Sequence, residues 1–263
     1  MTSSMALIKV LTTVGIVLAL SLVAERAGPR MAGILSGYPL GVALTLLFIG
    51  IEISPDYAAQ SAVFAIAGLC ATQAFVFVYY LVSRRLEKGG IAVSTLAATA
   101  GYLCAAAALR PIPFTRAGAL LAAFASMGLF TLLFRRIPDA RIARSVRFTP
   151  AVFALRALIA AFILLAVTAA AHAVGPAWAG LFSAFPIALY PLLLIVHLTY
   201  DKAHVHTIIK HFPRGMGAIA VYALCVSWAY PAWGVAWGTA AAFAVATVYL
   251  GAFVVLASRG RRG

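Results

Sequence analysis

Residues 28–40 read Gly-Pro-Arg-Met-Ala-Gly-Ile-Leu-Ser-Gly-Tyr-Pro-Leu, and residues 175–187 read Gly-Pro-Ala-Trp-Ala-Gly-Leu-Phe-Ser-Ala-Phe-Pro-Ile. At an offset of 147 they are identical at six of thirteen positions: Gly28/Gly175, Pro29/Pro176, Ala32/Ala179, Gly33/Gly180, Ser36/Ser183 and Pro39/Pro186. Four more positions are conservative swaps, Tyr38/Phe185 among them. An ungapped match of this length points to a duplicated unit. In an apolar chain, such a unit is a signature of membrane transporters.

The rest of the composition agrees with a lipid solvent. Of 263 residues, 64% are hydrophobic and 10% charged, and the mean hydropathy is +1.04. A soluble domain carries about 25% charged residues. Apolar runs of about 20 residues recur, each long enough to cross ~30 Å of hydrocarbon as a helix. Long alternating strand patterns are absent, which argues against a β-barrel. Cys70, Cys104 and Cys225 stand singly in apolar runs and read as small buried hydrophobes, with no disulfide or metal spacing.

Nine spans are expected, near 6–24, 30–51, 58–82, 90–109, 117–134, 152–172, 177–199, 207–229 and 234–257. The fold class is therefore an all-α polytopic membrane protein. A short Lys9-bearing head before an apolar core imitates a signal peptide, but the offset sets Lys9 opposite Arg156 and makes the first span part of the unit. With nine spans, Lys9, Arg110 and Arg116 share one side, and the other 17 of 20 basic residues share the opposite one. The positive-inside rule then places the amino terminus in the periplasm and the carboxyl terminus in the cytoplasm of an inner membrane. The formal charge of +14 is thus explained by cytoplasmic loops, chiefly the cluster from Arg135 to Arg156, and not by nucleic acid.

Five spans separate the starts of the two units, an odd number, so the second unit runs upside down. The expected organisation is a first repeat of four helices over 1–112, a linking helix and basic loop over 113–150, and an inverted repeat of four helices over 151–263. This is a 4+4 inverted-topology repeat. Pro29 and Pro176 suit the first turn of a helix. Pro39 and Pro186 fall ten residues later, roughly 15 Å further in and near the bilayer midplane. There each proline removes a backbone hydrogen bond and kinks its helix. One broken helix per half, entering from opposite faces, marks a transporter's central site. Candidate substrate-lining residues are Ser36, Tyr38, Pro39, Ser183, Phe185 and Pro186, joined by Gln73, which lies deep in the third span. The competing interpretation is a small-residue packing face built from Ala32, Gly33, Ser36 and Gly37 and from Ala179, Gly180, Ser183 and Ala184.

Ionisable groups are few. Glu52 is either interfacial or retained for proton or cation handling, and His197 is the nearest ionisable group in the second half. His197, His204 and His211 recur every seven residues, with His206 and Asp201 between them. A solvated loop, a proton-sensitive gate and a metal site are the readings of that window, in falling order. No nucleotide loop, nucleophile elbow or zinc-protease motif is present, so no enzyme chemistry, cofactor or metal is expected.

Ala32-Gly33-Ile34-Leu35 followed by Tyr38-Pro39, then Glu52, Gly68 and the aromatic run from Phe75 to Tyr80, resembles the small GlpM-like bacterial membrane proteins. The likeness covers residues 25–82 well and 172–228 in part. The second half departs from it where Thr199 stands opposite Glu52. The resemblance implies two four-span units fused through the fifth span, with a loose link to exopolysaccharide production and no catalytic residue. The expected function is secondary transport of a small organic solute by alternating access, with proton coupling through Glu52 or His197. The alternative is a non-transporting membrane subunit of an envelope or exopolysaccharide machine. The lipid bilayer and a small-molecule substrate are the expected partners, and a homo-oligomer is compatible with either function.

Overall fold

A computed structural model describes residues 7, 9–12, 14–15, 31–86, 90–140 and 150–259. Gly28 and Pro29, most of the first expected span, the loop residues Arg141, Arg144 and Arg147, and Arg261 and Arg262 lie outside the described residues. After a helical turn over residues 31–35 come α1 (Leu40–Glu52), α2 (Pro55–Arg85), α3 (Ile91–Leu109), α4 (Arg116–Phe134), α5 (Pro150–Ser183), α6 (Leu189–Thr199), α7 (Lys202–Gly215) and α8 (Gly217–Arg259). No strand occurs among the described residues. Six helical stretches, Met31–Glu52, Pro55–Arg85, Ile91–Leu109, Arg116–Phe134, Ala157–Ser183 and Lys202–Phe253, are long and apolar enough to cross a bilayer. The protein is an all-helical, membrane-embedded chain.

Two of the long helices are interrupted. Gly175 (φ 77, ψ 166) divides α5, and Gly234 (φ 74, ψ 175) divides α8. Both angles lie where a Cβ is disfavoured, so glycine is the residue that turns the chain there. Pro176 then opens the second piece of α5 in a position where its missing N–H costs nothing.

Helix starts are set by side chains. The Ser54 hydroxyl accepts from the Tyr57 N–H at 3.1 Å, with Pro55 at the first helical position. The Asp201 carboxylate accepts from the His204 N–H at 3.0 Å. These two caps are 147 residues apart. Thr115 caps α4 by accepting from the Gly118 N–H at 3.1 Å.

α2 is the axis of the molecule and packs against α3, α4, α5 and α8. Its inner residues are mostly small, such as Ala58, Ala62, Ala65 and Ala71, which lets neighbouring backbones close in. Large side chains on the periphery, including Leu121, Leu132, Trp237 and Val248, face outward, as hydrocarbon permits. The cysteines depart from expectation. Cys104 is exposed on the outer surface of α3 and Cys70 and Cys225 are half-buried, since a small apolar side chain is as well placed against lipid as in a core.

The closest approaches are made by glycines. A Cβ on Gly33 would sit 2.6 Å from the Ile208 carbonyl oxygen, and one on Gly180 would overlap the Ser61 carbonyl. Gly37 abuts the Gly215 backbone, while a Cβ on Gly68 would lie 2.7 Å from the Ala184 Cβ. Each member of the first contact in a pair is 147 residues from a member of the second: 33/180 with 208/61, and 37/184 with 215/68.

These contacts also fix direction. Gly33, Gly37 and Gly50 meet Ile208, Gly215 and Tyr230 in rising order, so residues 31–52 run alongside α7 and the first part of α8 in the same sense. Gly180, Ala184, Phe185 and His197 likewise meet Ser61, Gly68, Phe75 and Tyr79. At the far end of α2, the Leu86 carbonyl accepts from Lys202, and Ser83 bonds His206. The end of α2 is thus beside the start of α7, and the two run in opposite senses.

Adding a methyl at a close contact should overpack it. We expect Gly180→Ala to cost about 1–3 kcal/mol. Gly128→Ala in α4, where nothing lies within 4 Å of the added Cβ, should be neutral or stabilising by up to ~1 kcal/mol. Thermal unfolding of the purified variants in detergent checks both.

Candidate functional site

Residues 34–40 and 181–187 form two helix breaks with one hydrogen-bond pattern. In the first, the N–H groups of Gly37, Tyr38 and Leu40 donate to the carbonyls of Ile34, Leu35 and Tyr38 at 3.0, 2.9 and 2.8 Å. In the second, Ala184, Phe185 and Ile187 donate to Leu181, Phe182 and Phe185 at 3.2, 3.0 and 2.7 Å. Both helices then restart on the proline carbonyl: Ala43 N–H bonds Pro39 at 2.7 Å and Tyr190 N–H bonds Pro186 at 2.7 Å. The prolines therefore stand at the head of the second piece, as ring geometry favours, and do not bend a continuous helix.

Ser36 and Ser183, expected to offer hydroxyls to a path, are committed elsewhere. Each donates to the carbonyl four residues back, Ala32 and Ala179, at 2.7 Å, and both side chains are buried. These are local bonds from the side chain back to its own helical piece, and the Ala32 carbonyl also accepts from the Ser36 N–H at 2.9 Å. The Tyr38 phenol bonds Thr247 at 2.8 Å, and its ring stacks on Phe243. Phe185 sits in an aromatic cluster, 5.0 Å from Tyr102 and 5.8 Å from Phe75 between ring centres. Pro39 and Pro186 are buried.

Gln73 is different. It is fully buried, and neither its amide nitrogen nor its amide oxygen has a hydrogen-bond partner among the described residues. The preceding residue, Thr72, donates to the Ala184 carbonyl at 2.7 Å, directly at the second break. An unsatisfied buried amide costs about 1–3 kcal/mol, and such a group calls for a water or a ligand. Ser61, Ser94, Thr95 and Tyr222 also carry buried hydroxyls without a partner among the described residues, but at Gln73 both amide atoms lack one.

Beyond Gln73, a lane of two polar pairs follows toward the end of α2. Tyr79 bonds His197 Nδ1 at 3.0 Å, and Ser83 bonds His206 Nε2 at 2.9 Å. His206 also meets the Tyr80 ring edge-on, with centres 4.8 Å apart. The seven-residue histidine series does not form one face. The turn at Tyr200–Asp201 separates His197 from the rest, His204 pairs with Asp201 at 2.7 Å and His211 pairs with Asp139 at 2.9 Å.

Glu52 lies at the other end of α2. Its carboxylate accepts from Lys9 at 2.8 Å, and His172 Nε2 is 3.5 Å away. Lys9 is fully buried and also donates to Thr168 at 2.9 Å. The pair ties the first helix to the end of α1 and to α5. Tyr57, near Glu52 in the chain, and Tyr79, beside His197, are about 33 Å apart along α2 at 1.5 Å per residue. Glu52 and His197 therefore belong to opposite ends of the molecule. The Lys9 and Thr168 partners were not foreseen. They are 159 residues apart, and no local pattern links them.

Asp139 anchors the loop after α4. It accepts from His211 and lies 3.2 Å from Lys210, which itself donates to the Ile137 carbonyl at 2.6 Å. Partial burial works to raise the Asp139 pKa, but hydrogen bonds from His211 and Lys210 outweigh it and hold the carboxyl below its ordinary value. Asp201 is lowered in the same way: desolvation opposes the shift, and the His204 ring and backbone N–H produce it.

Comparison with family models, with curated proteins and with solved structures found no match to this chain.

Two outcomes follow from this geometry. Glu52→Leu alone, which leaves a buried ammonium without its carboxylate, should cost about 3–5 kcal/mol, whereas Lys9→Leu with Glu52→Leu should recover most of that loss. A double-mutant cycle in thermal unfolding measures it. A lowered folded-state carboxyl stabilises above its unfolded pKa and loses that contribution as pH falls through the folded value. Unfolding temperature should therefore drop below about pH 4, and Asp139→Asn should flatten part of that acid slope.

Proposed function

We propose that the chain crosses an inner membrane nine times as two four-helix units of opposite orientation, joined by α4, and acts as a secondary transporter for a small organic solute. The observation that carries the transport role is the unpartnered Gln73 amide, buried beside one of two helix breaks built alike. Interruptions at Gly175 and Gly234 supply the extra crossings. Reciprocal glycine contacts at an offset of 147 support a pseudo-two-fold between the units. Opposite senses of α2 and α7 support the inversion. Discontinuous helices near the midplane, one per unit, are how such transporters hold solute.

In this mechanism Gln73 hydrogen-bonds the solute, and the Tyr79–His197 and Ser83–His206 pairs line the exit on the side rich in basic residues. Rocking of one unit against the other exposes the site to each face in turn. Proton coupling would run through Glu52 on the outer side or His197 on the inner. The close fit of Gly33, Gly37, Gly180 and Gly68 against facing backbone favours, as the second reading, a rigid membrane subunit of an envelope machine, in line with the GlpM-like resemblance.

Topology is tested by single cysteines in a Cys70→Ala, Cys104→Ala, Cys225→Ala background. Gly28→Cys should label from the cytoplasm and Gly175→Cys from the periplasm; labelling from one side ends the inverted repeat. Transport is tested by flux of a panel of small organic solutes in proteoliposomes. Gln73→Leu should raise the unfolding temperature, because it removes an unpaired amide, and abolish flux of any solute the parent carries. Co-purification with a stoichiometric partner, without flux, supports the subunit instead.

A further inference from the structure

A crevice of about 670 Å³ opens where three element ends meet: the first turn of α2, the first turn of α4 and the part of α8 just before Gly234. The turn joining α3 to α4, two apolar helices of 19 residues each, ends there, which sets the crevice at the level of the bilayer surface. Its walls carry charges of both signs, Asp56 and Arg116, and the Gln60 amide, with Trp228, Phe114 and Val63 as an apolar floor.

Arg116 is built into place. Its Nε donates to the Ser227 hydroxyl at 3.1 Å and its Nη2 to the Ser227 carbonyl at 2.9 Å, while the guanidinium lies 4.1 Å from the Trp228 ring centre. No bond involves Nη1 among the described residues. A cation in the first turn of a helix is opposed by the helix dipole, so this position is held against local electrostatics. Asp56 is exposed and makes no ion pair among the described residues. Two helix amino ends facing the same space favour an anion beside Arg116, and the Asp56 carboxylate favours a cation with N–H donors. Trp228, 62% exposed, continues the floor outward toward lipid.

We infer that this crevice binds the zwitterionic headgroup of an aminophospholipid, its phosphate on Arg116 and its primary ammonium on Asp56, with the glycerol and first methylenes over Trp228. A choline headgroup has no N–H to give Asp56, and a glycerol headgroup has no cation. The site is independent of the transport proposal, since it lies at one surface and uses none of the residues along the α2 lane.

Native mass spectrometry of the purified protein, with phosphatidylethanolamine, phosphatidylcholine or phosphatidylglycerol added to the detergent, tests this. Phosphatidylethanolamine should be retained about tenfold more strongly than either other lipid, and Asp56→Asn should erase that preference. Arg116→Gln should weaken retention of phosphatidylethanolamine by about the same factor. If loss of the Ser227 contacts unfolds that variant, Asp56→Asn decides alone, because its side chain holds no other group. Equal retention of the three lipids, or an unchanged preference in Asp56→Asn, overturns the assignment. Soluble glycerophosphoethanolamine separates the sources: binding as tight as that of the lipid assigns the crevice to a free zwitterion and overturns the lipid.

Discussion

The bilayer core offers no water to a broken helix, and every backbone group freed by a break must find a partner inside the protein. This chain meets that constraint twice in the same way. Backbone N–H groups donate to carbonyls three residues back, and the chain restarts on a proline carbonyl. Glycines then bring each broken segment against the backbone of a helix from the other half. Contacts without an intervening side chain tolerate little displacement, so they also fix which helices lie side by side and in which direction.

With the backbone satisfied, the polar side chains that remain become informative. Lys9 and Glu52 hold one end together, and the Asp139 contacts with Lys210 and His211 hold the other. Lys9, Arg110 and Arg116 are each set against residues of the first end: Glu52, Trp178 and Trp228. The second end gathers Arg84, Lys202 and Lys210 with His197, His204, His206 and His211, while His172 lies beside Glu52 at the first. Gln73 belongs to neither end and has no partner among the described residues. In lipid the cost of such a group is not relieved by solvent, which is why it weighs more than a buried glutamine would in a soluble domain.

Much of the architecture was legible before any coordinates. Apolar runs gave the long helices, and Pro39 and Pro186 gave the positions of both breaks, because proline acts through local backbone geometry. Burial of Gln73 was also legible from its place deep in an apolar run. Uses of Ser36, Ser183 and Tyr38 were not. A hydroxyl near a break can face a cavity, a neighbour or its own helix, and rotamer and packing choose among these. The partners of the histidines were not legible for a similar reason. Seven-residue spacing defines a face only on an uninterrupted helix, and the turn at Tyr200–Asp201 interrupts it.

The sequence by itself determined that the chain is helical and membrane-embedded, and where its helices break. Those properties follow from hydropathy and from residues whose preferences operate within a few neighbours. Only the tertiary structure decided the partners: Lys9 with Glu52 and Thr168, Asp139 with His211, Arg116 with Ser227 and Trp228. Each joins residues more than forty positions apart, and such a pairing depends on how helices stack against one another, which no local pattern encodes.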